Sequence, residues 1–174
     1  MRITFTLATL CCALALGATA GAAPPTPVPG GANQAEGVPT TFGTAAFNGE
    51  VRLTPRTLGD ATAADGFSAP SGQKWLIFRA TAANGTAKAL DMQQFVASIV
   101  NADGESYAAQ PDKLLPMGGV YGIAPGAGWR EQVAFEVPTD FVPVKIILLP
   151  MNKKHKAFRI TVRPTDYHAG AASP

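Results

Sequence analysis

Residues 75–107 read WLIFRATAANGTAKALDMQQFVASIVNADGESY, and the spacing of apolar residues in this stretch decides the fold class. Leu76, Phe78, Ala80 and Ala82 recur at every second position, with Arg79 and Thr81 between them. That is the period of a strand with one buried face. Trp75 and Ile77 share the Arg79 face, so this second face is expected to be partly covered as well. Asn84-Gly85 is a turn dipeptide that ends the strand. A link over Ala87–Asp91 follows, then Phe95, Ala97 and Ile99 alternate through a further strand. Asp103-Gly104 turns that strand tightly, and Tyr107 begins the return. The stretch is the spine of an antiparallel β domain.

Upstream, Ala45, Phe47, Val51 and Leu53 are expected on one face of a first strand, with Asn48, Glu50 and Arg52 on the other. Residues 59–72 are rich in Ala, Asp, Gly and Ser and are expected to form a loop with room for one helical turn. Gly21–Thr40 holds Pro24, Pro25, Pro27, Pro29, Pro39 and Gly30-Gly31. Such a segment buries too little apolar surface to offset its ordering entropy, so a disordered tether is expected, with folding starting near Thr41.

Downstream, Gln110–Gly128 is a Gly/Pro-rich crossing closed by a Pro125-Gly126 turn. It lacks the Gly-Lys-Ser/Thr ending and the following helix of a phosphate-binding loop. Trp129, Val133, Phe135 and Val137 alternate on a strand stopped by Pro138. Val144–Leu149 is a continuous apolar strand closed by Pro150. Lys153-Lys154-His155-Lys156 forms a basic tip, and Phe158, Ile160 and Val162 alternate down the last strand. Pro164 ends it, leaving Thr165–Pro174 as a flexible tail. Seven or eight strands are expected. One open sheet would leave an apolar face wet, so they predict an all-β, two-sheet antiparallel sandwich over residues 41–164.

The first twenty residues have the form of an export signal. Arg2 provides the positive start, Ile3–Leu16 is an apolar run too short to span a bilayer comfortably, and Ala18-Thr19-Ala20 is a small-x-small cleavage site. Cutting after Ala20 predicts no stable membrane insertion of the mature chain. Cys11 and Cys12 leave with the signal, and with them go cysteine nucleophiles, thiolate metal sites and disulfides. About 150 residues can bury some 70% of their unfolded surface, enough to fold by packing alone. The mature chain keeps 13 of the 14 basic residues and all 12 acidic ones. From Lys145 onward, Lys145, Lys153, Lys154, Lys156, Arg159 and Arg163 face Asp166 alone, which reads as a solvated basic end. No run reaches the basic density of a nucleic-acid binder.

Four segments, WLIFRATAANGTAKAL, IVNADGESY, APGAGWREQVAFEVP and FRITV, resemble in order the exported, immunoglobulin-like family known as domain of unknown function 4352. Its relatives sometimes carry the label telomeric repeat-binding factor. The resemblance covers roughly Phe47–Val162 and implies an immunoglobulin-like sandwich acting as a binding or accessory module in the periplasm or outside a bacterial cell. It brings no catalytic residues and no cofactor. The Met92–Phe95 lead-in and the long Gly-rich loop depart from the family pattern.

The residues themselves offer little catalytic chemistry. His155 and His168 are the only histidines, neither accompanies a Gly-x-Ser-x-Gly elbow, and lysines beside His155 disfavour its protonated form. Glu131 and Glu136 are expected on opposite faces of one strand, which rules them out as an acid/base pair. Asn101, Asp103 and Glu105 lack the remaining ligands of a calcium loop. Asn84-Gly85-Thr86 has the form of a glycosylation sequon, for which the turn is the stronger reading. An exported copper carrier is the alternative, with Met92, Met117, Met151, His155 and His168 as its candidate ligands; methionines in such places are more often packing. The expected function is a non-catalytic binding module for a protein or other envelope component. Its expected contacts are Met117, Val120, Tyr121, Ile123 and Trp129, joined by Ile147 and Leu149 if that face of the strand is open. The same apolar face would support a weak homodimer.

Overall fold

The computed structural model describes residues 37–61, 63–64, 66–93, 95–110, 120–151 and 155–168. Within them the chain is built from strands: β1 (Gly37–Thr41), β2 (Ala46–Phe47), β3 (Val51–Ala61), β4 (Ala63–Ala64), β5 (Phe67–Ser68), β6 (Gln73–Asn84), β7 (Leu90–Gln93), β8 (Phe95–Asn101), β9 (Ser106–Ala108), β10 (Val120–Ile123), β11 (Gly128–Pro138), β12 (Pro143–Pro150), β13 (Ala157–Thr161) and β14 (Tyr167–His168). One sheet runs β1-β13-β12-β8-β9, and the other runs β11-β6-β3-β14 with β2 also on β3. The result is a two-sheet, all-β sandwich, as the alternation predicts.

The inner faces supply one continuous core. Leu76 and Phe78 of β6, Leu53 and Leu58 of β3, and Phe135 of β11 meet Ile99 of β8, Ile146 and Leu148 of β12, and Phe158 and Ile160 of β13, all fully buried. Phe95 and Phe158 meet edge to face with ring centroids 6.2 Å apart, and Tyr107 and Phe141 do so at 5.1 Å. Such pairs add about 0.5–1.5 kcal/mol beyond the area they bury. Along one side the sheets nearly join. Ala109 bridges Phe135, and the Gln110 amide donates to the Ala134 carbonyl.

The second face of β6 is covered too, by an element that the sequence reading took for a loop. β3 continues to Ala61, and β4 and β5 form a small hairpin. Ala64, Trp75, Ile77 and Ala134 pack together there, and Trp75 Nε1 donates to the Phe67 carbonyl at 3.1 Å. The buried indole finds its acceptor in the hairpin backbone, which fixes the hairpin to the sheet.

Other expectations need correction. The expected first strand splits at Asn48-Gly49 into β2 and β3, which pair antiparallel. Asn48 Oδ1 accepts from the amides of Glu50 and Val51, an Asx-type turn that ends the alternation and leaves Phe47 43% exposed. β1 begins at Gly37, inside the segment assigned to the tether, and pairs parallel with β13. An edge strand tolerates Pro39 because a lost donor there can face outward. The rest of the tether and the signal lie outside the described residues. β7 and β10 pair with each other within the stretches expected to be a link and a loop.

The tail is also partly built in. Residues 164–166 form a 3-10 turn in which Arg163 Nε and Nη2 clamp Asp166, and this guanidinium holds the Asp166 carboxyl below its usual range. β14 then pairs parallel with β3, Tyr167 opposite Leu58. The Tyr167 hydroxyl donates to Asp60 Oδ1 and accepts from Lys74 Nζ at 2.8 Å. Burial, then the Asp60 carboxylate, push the phenol pKa far up, so Tyr167 stays protonated. Removing its hydroxyl in Tyr167→Phe should lower the unfolding free energy by about 1–2 kcal/mol. Urea denaturation should show an earlier midpoint with an unchanged slope, and truncation after Arg163 should cost more.

Candidate functional site

β6 runs between two ends of the sandwich, and at its Asn84 end the turns most relevant to contact converge. Asn84 is 2% exposed and acts as a hub. Its Nδ2 donates to the carbonyls of Lys88 (2.7 Å) and Ile123 (2.9 Å), and its Oδ1 accepts from the amide and hydroxyl of Thr86. Its backbone amide donates to the Ala127 carbonyl, and its carbonyl accepts from the Gly126 amide. One side chain thus joins the end of β6, the 86–88 bend and the end of β10. Asn84-Gly85 is therefore not a hairpin reversal. It starts the crossing toward β8, and an amide with both protons engaged is no glycosylation acceptor in the folded chain. The Pro125-Gly126 turn forms as expected: the Ala127 amide donates to Ala124, and Gly126 sits at φ 74°, where a side chain would be strained.

β11 begins beside this turn, and its inner face carries Trp129, Glu131, Val133 and Phe135 in succession. Trp129 and Glu131 pair across the ladder with Ala82 and Ala80, two small inner-face residues. Trp129 is half-buried against the core, and its Nε1 donates to Glu131 Oε2 at 3.2 Å. Glu131 is half-buried on the same face. Desolvation raises its pKa above the usual carboxylate range, and the indole hydrogen bond offsets this only in part. Among the described residues no cation pairs with it. Glu131 and Glu136 lie on opposite faces, as the alternation predicts, and Glu131 is the one that faces inward.

The remaining expected contact residues divide. Val120 and Tyr121 pair with Gln93 and Met92 on the β7–β10 ribbon at this end. Ile123, on the same ribbon, is 5% exposed and belongs to the core, so it cannot be a contact residue as expected. Met117 lies outside the described residues. Ile147 and Leu149 lie on the outer face of the other sheet. Ile147 is fully buried with Val100 and Ala157, and Leu149 is half-buried against them, which contradicts an open Ile147 contact face. Exposed apolar side chains that the sequence reading missed include Phe47, Val96 and Met151. Phe47 lies over Gly85, where an added Cβ would come within 2.4 Å of its ring, and Arg52 stacks on the ring at 5.7 Å.

His155 lies near this end, 3.6 Å from Glu50, in the turn between β12 and β13; Asn48 Nδ2 donates to the Lys156 carbonyl beside it. An acid near His155 was not foreseen from the neighbouring lysines. His168 pairs with Gly59, most of the length of β3 away from Glu50, so the two histidines share no site. Among the described residues no group of three or more His, Cys, Asp or Glu could hold a metal ion. Asn101 and Glu105 bond each other across the β8–β9 turn, which is a hairpin and not a cation loop.

No family model matches the chain, and no curated protein matches it. Solved structures do. The YjhA protein of Bacillus subtilis is 10% identical, with a TM-score of 0.52 over 71% of this chain and 99% of that one. The secreted protein MPT63 of Mycobacterium tuberculosis is 17% identical, with a TM-score of 0.49 over 73% and 98%. An uncharacterized beta-sandwich protein of Clostridium difficile is 14% identical, with a TM-score of 0.48 over 74% and 96%. The YjhA likeness agrees with the sandwich fold, and at this identity it shows the fold alone. No helix among the described residues is long and apolar enough to cross a membrane.

Two outcomes follow for this end of the molecule. Asn84→Ala should destabilise the chain by about 3 kcal/mol, because several buried backbone groups lose partners at once, as a denaturant midpoint would show. Glu131→Gln should raise the melting temperature at pH 7. With a raised folded pKa, the wild-type carboxyl costs stability once ionised. The cost is absent below the unfolded value of about 4.3, grows as pH rises, and is complete above the folded value. The two melting curves should therefore converge at pH 3–4.

Proposed function

We propose that this chain is an exported, non-catalytic binding or accessory module of a bacterial envelope, of the kind that its resemblance to domain of unknown function 4352 implies. It engages a protein or other envelope component through the Asn84 end of the sandwich. Export is supported by the signal-like first twenty residues and by a mature sequence without cysteine. The observation that carries the contact end is the convergence of the β7–β10 ribbon, the 124–127 turn and the Trp129–Glu131 pair around Asn84. A rigid hydrogen-bonded hub there presents loop residues in a fixed arrangement, so little ordering entropy is lost on contact. The non-catalytic reading is supported by the distance between the two histidines, which lie most of the length of β3 apart.

Affinity capture from envelope extract tests the assignment. Ala87 and Ala124 are exposed on the turns of the contact end, and Asp140 is exposed at the opposite end. The mature chain should retain a discrete partner. Ala87→Trp combined with Ala124→Trp, which puts bulk on both turns without changing charge, should reduce the yield at least tenfold, while Asp140→Trp leaves it unchanged. Equal capture by all three chains would refute the contact end.

A further inference from the structure

We propose that the Trp129–Glu131 pair is a recognition site for an alkylammonium group, the cationic head of an amine such as a lysine side chain. The inference deepens the binding-module reading and rests on it, since it names the chemistry which the contact end would take.

Three observations carry it. First, Glu131 occupies an inner-face position between Trp129 and Val133, where the alternation of β11 otherwise places apolar side chains. Its cross-strand neighbour is Ala80, and the next position along β6 on that face is Ala82. The carboxylate and the indole thus stand opposite two methyl groups, with no polar side chain across the ladder to partner them. Second, the carboxylate is under-satisfied. It can accept about four hydrogen bonds, and the one found comes from Trp129 Nε1. Among the described residues neither Lys, Arg nor His pairs with it; Arg79, on the other face, donates to its cross-strand neighbour Gln132 instead. A carboxylate taken partly out of water without a counter-charge is costly to ionise, and an arriving cation relieves that cost. Third, the neighbouring group is an indole, the aromatic ring best suited to a cation, held half-buried by the core.

Size and polarity narrow the ligand. An ammonium is compact, donates three hydrogen bonds and carries an aliphatic stem that can lie along the half-buried indole. A bare inorganic cation would ask for more oxygen ligands than one carboxylate offers. An anion is excluded by charge. No bond is made or broken; the step is association, with the amine keeping its proton.

The test uses the mature chain at pH 7.5 and follows the two indole N–H resonances by NMR. Trp75, buried beneath the β4–β5 hairpin, serves as the internal control. The probes are n-butylammonium, the neutral isostere n-butanol, and a short peptide with a single lysine and blocked ends. The expected result is a saturable shift of the Trp129 indole with butylammonium, at least fivefold tighter than with butanol, and no movement at Trp75. In Glu131→Gln the affinity should fall at least tenfold. Glu136→Gln, on the opposite face of β11, should leave it unchanged. Tighter binding of the peptide would assign a protein lysine as the source, and tighter binding of butylammonium a free amine. Both support the inference. Absence of a saturable shift, an equal response to butanol, or binding that survives in Glu131→Gln would overturn it. If amines fail while the Ala87→Trp and Ala124→Trp pair still abolishes capture, the binding-module reading stands and the ammonium inference alone falls.

Discussion

The two inner faces need each other. β6 presents Leu76, Phe78, Ala80 and Ala82, and β12 presents Ile146 and Leu148 toward them, with strands on either side extending each surface. Each fully buried large apolar side chain is worth about 1.5–3 kcal/mol, and either sheet alone would forfeit that gain. No cysteine remains after the first twenty residues, so nothing covalent substitutes for it. The consequences spread outward. Because both edges of the core must be closed, β9 crosses to meet β11, β1 covers β13, and β14 with Tyr167 covers the end of β3.

Within that frame, polar residues do the work of joining elements that apolar packing alone would leave loose. Asn48 ties the β2–β3 turn to the chain before β13, Asn84 ties β6 to β10, and the Asp60–Tyr167–Lys74 group fixes the last strand. Each is partnered, which keeps its burial affordable. Glu131 is placed differently. It sits on the same inner face as the core, partnered by one indole, in a position that the alternation of β11 gives to apolar side chains.

How much of this was legible follows from what alternation can and cannot encode. β6, β8, β11 and β13 each carry enough period-2 signal to be read directly, β12 reads as a continuous apolar run, and the Trp75–Ile77 face is covered as expected. Shorter segments carry too little period to register, so β1, β4, β5, β7, β10 and β14 fall in stretches that read as tether, link, loop or tail, and β2 reads as one strand with β3. Turn dipeptides were ambiguous for a physical reason. Asn48-Gly49 reverses the chain and was overlooked, whereas Asn84-Gly85 was noticed but serves as a buried hub. The difference lies in tertiary partners, Ile123 and Lys88, that no local pattern names. The contact residues fared similarly. Val120, Tyr121 and Trp129 do come to one end, but Ile123 and Ile147 are buried, because an apolar residue in a strand says nothing about which sheet covers it. Glu131 could have been found from the pattern alone: it is the one charged residue in the run Trp129, Glu131, Val133, Phe135, Val137.

Native-state amide hydrogen exchange on the mature chain tests the mutual dependence of the two sheets most directly. The amides of Leu76 and Phe78 in one sheet and of Ile146 and Leu148 in the other should exchange slowest, with one common opening free energy equal to that of global unfolding. Separate opening energies for the two sets, with one sheet surviving while the other exchanges, would contradict the account.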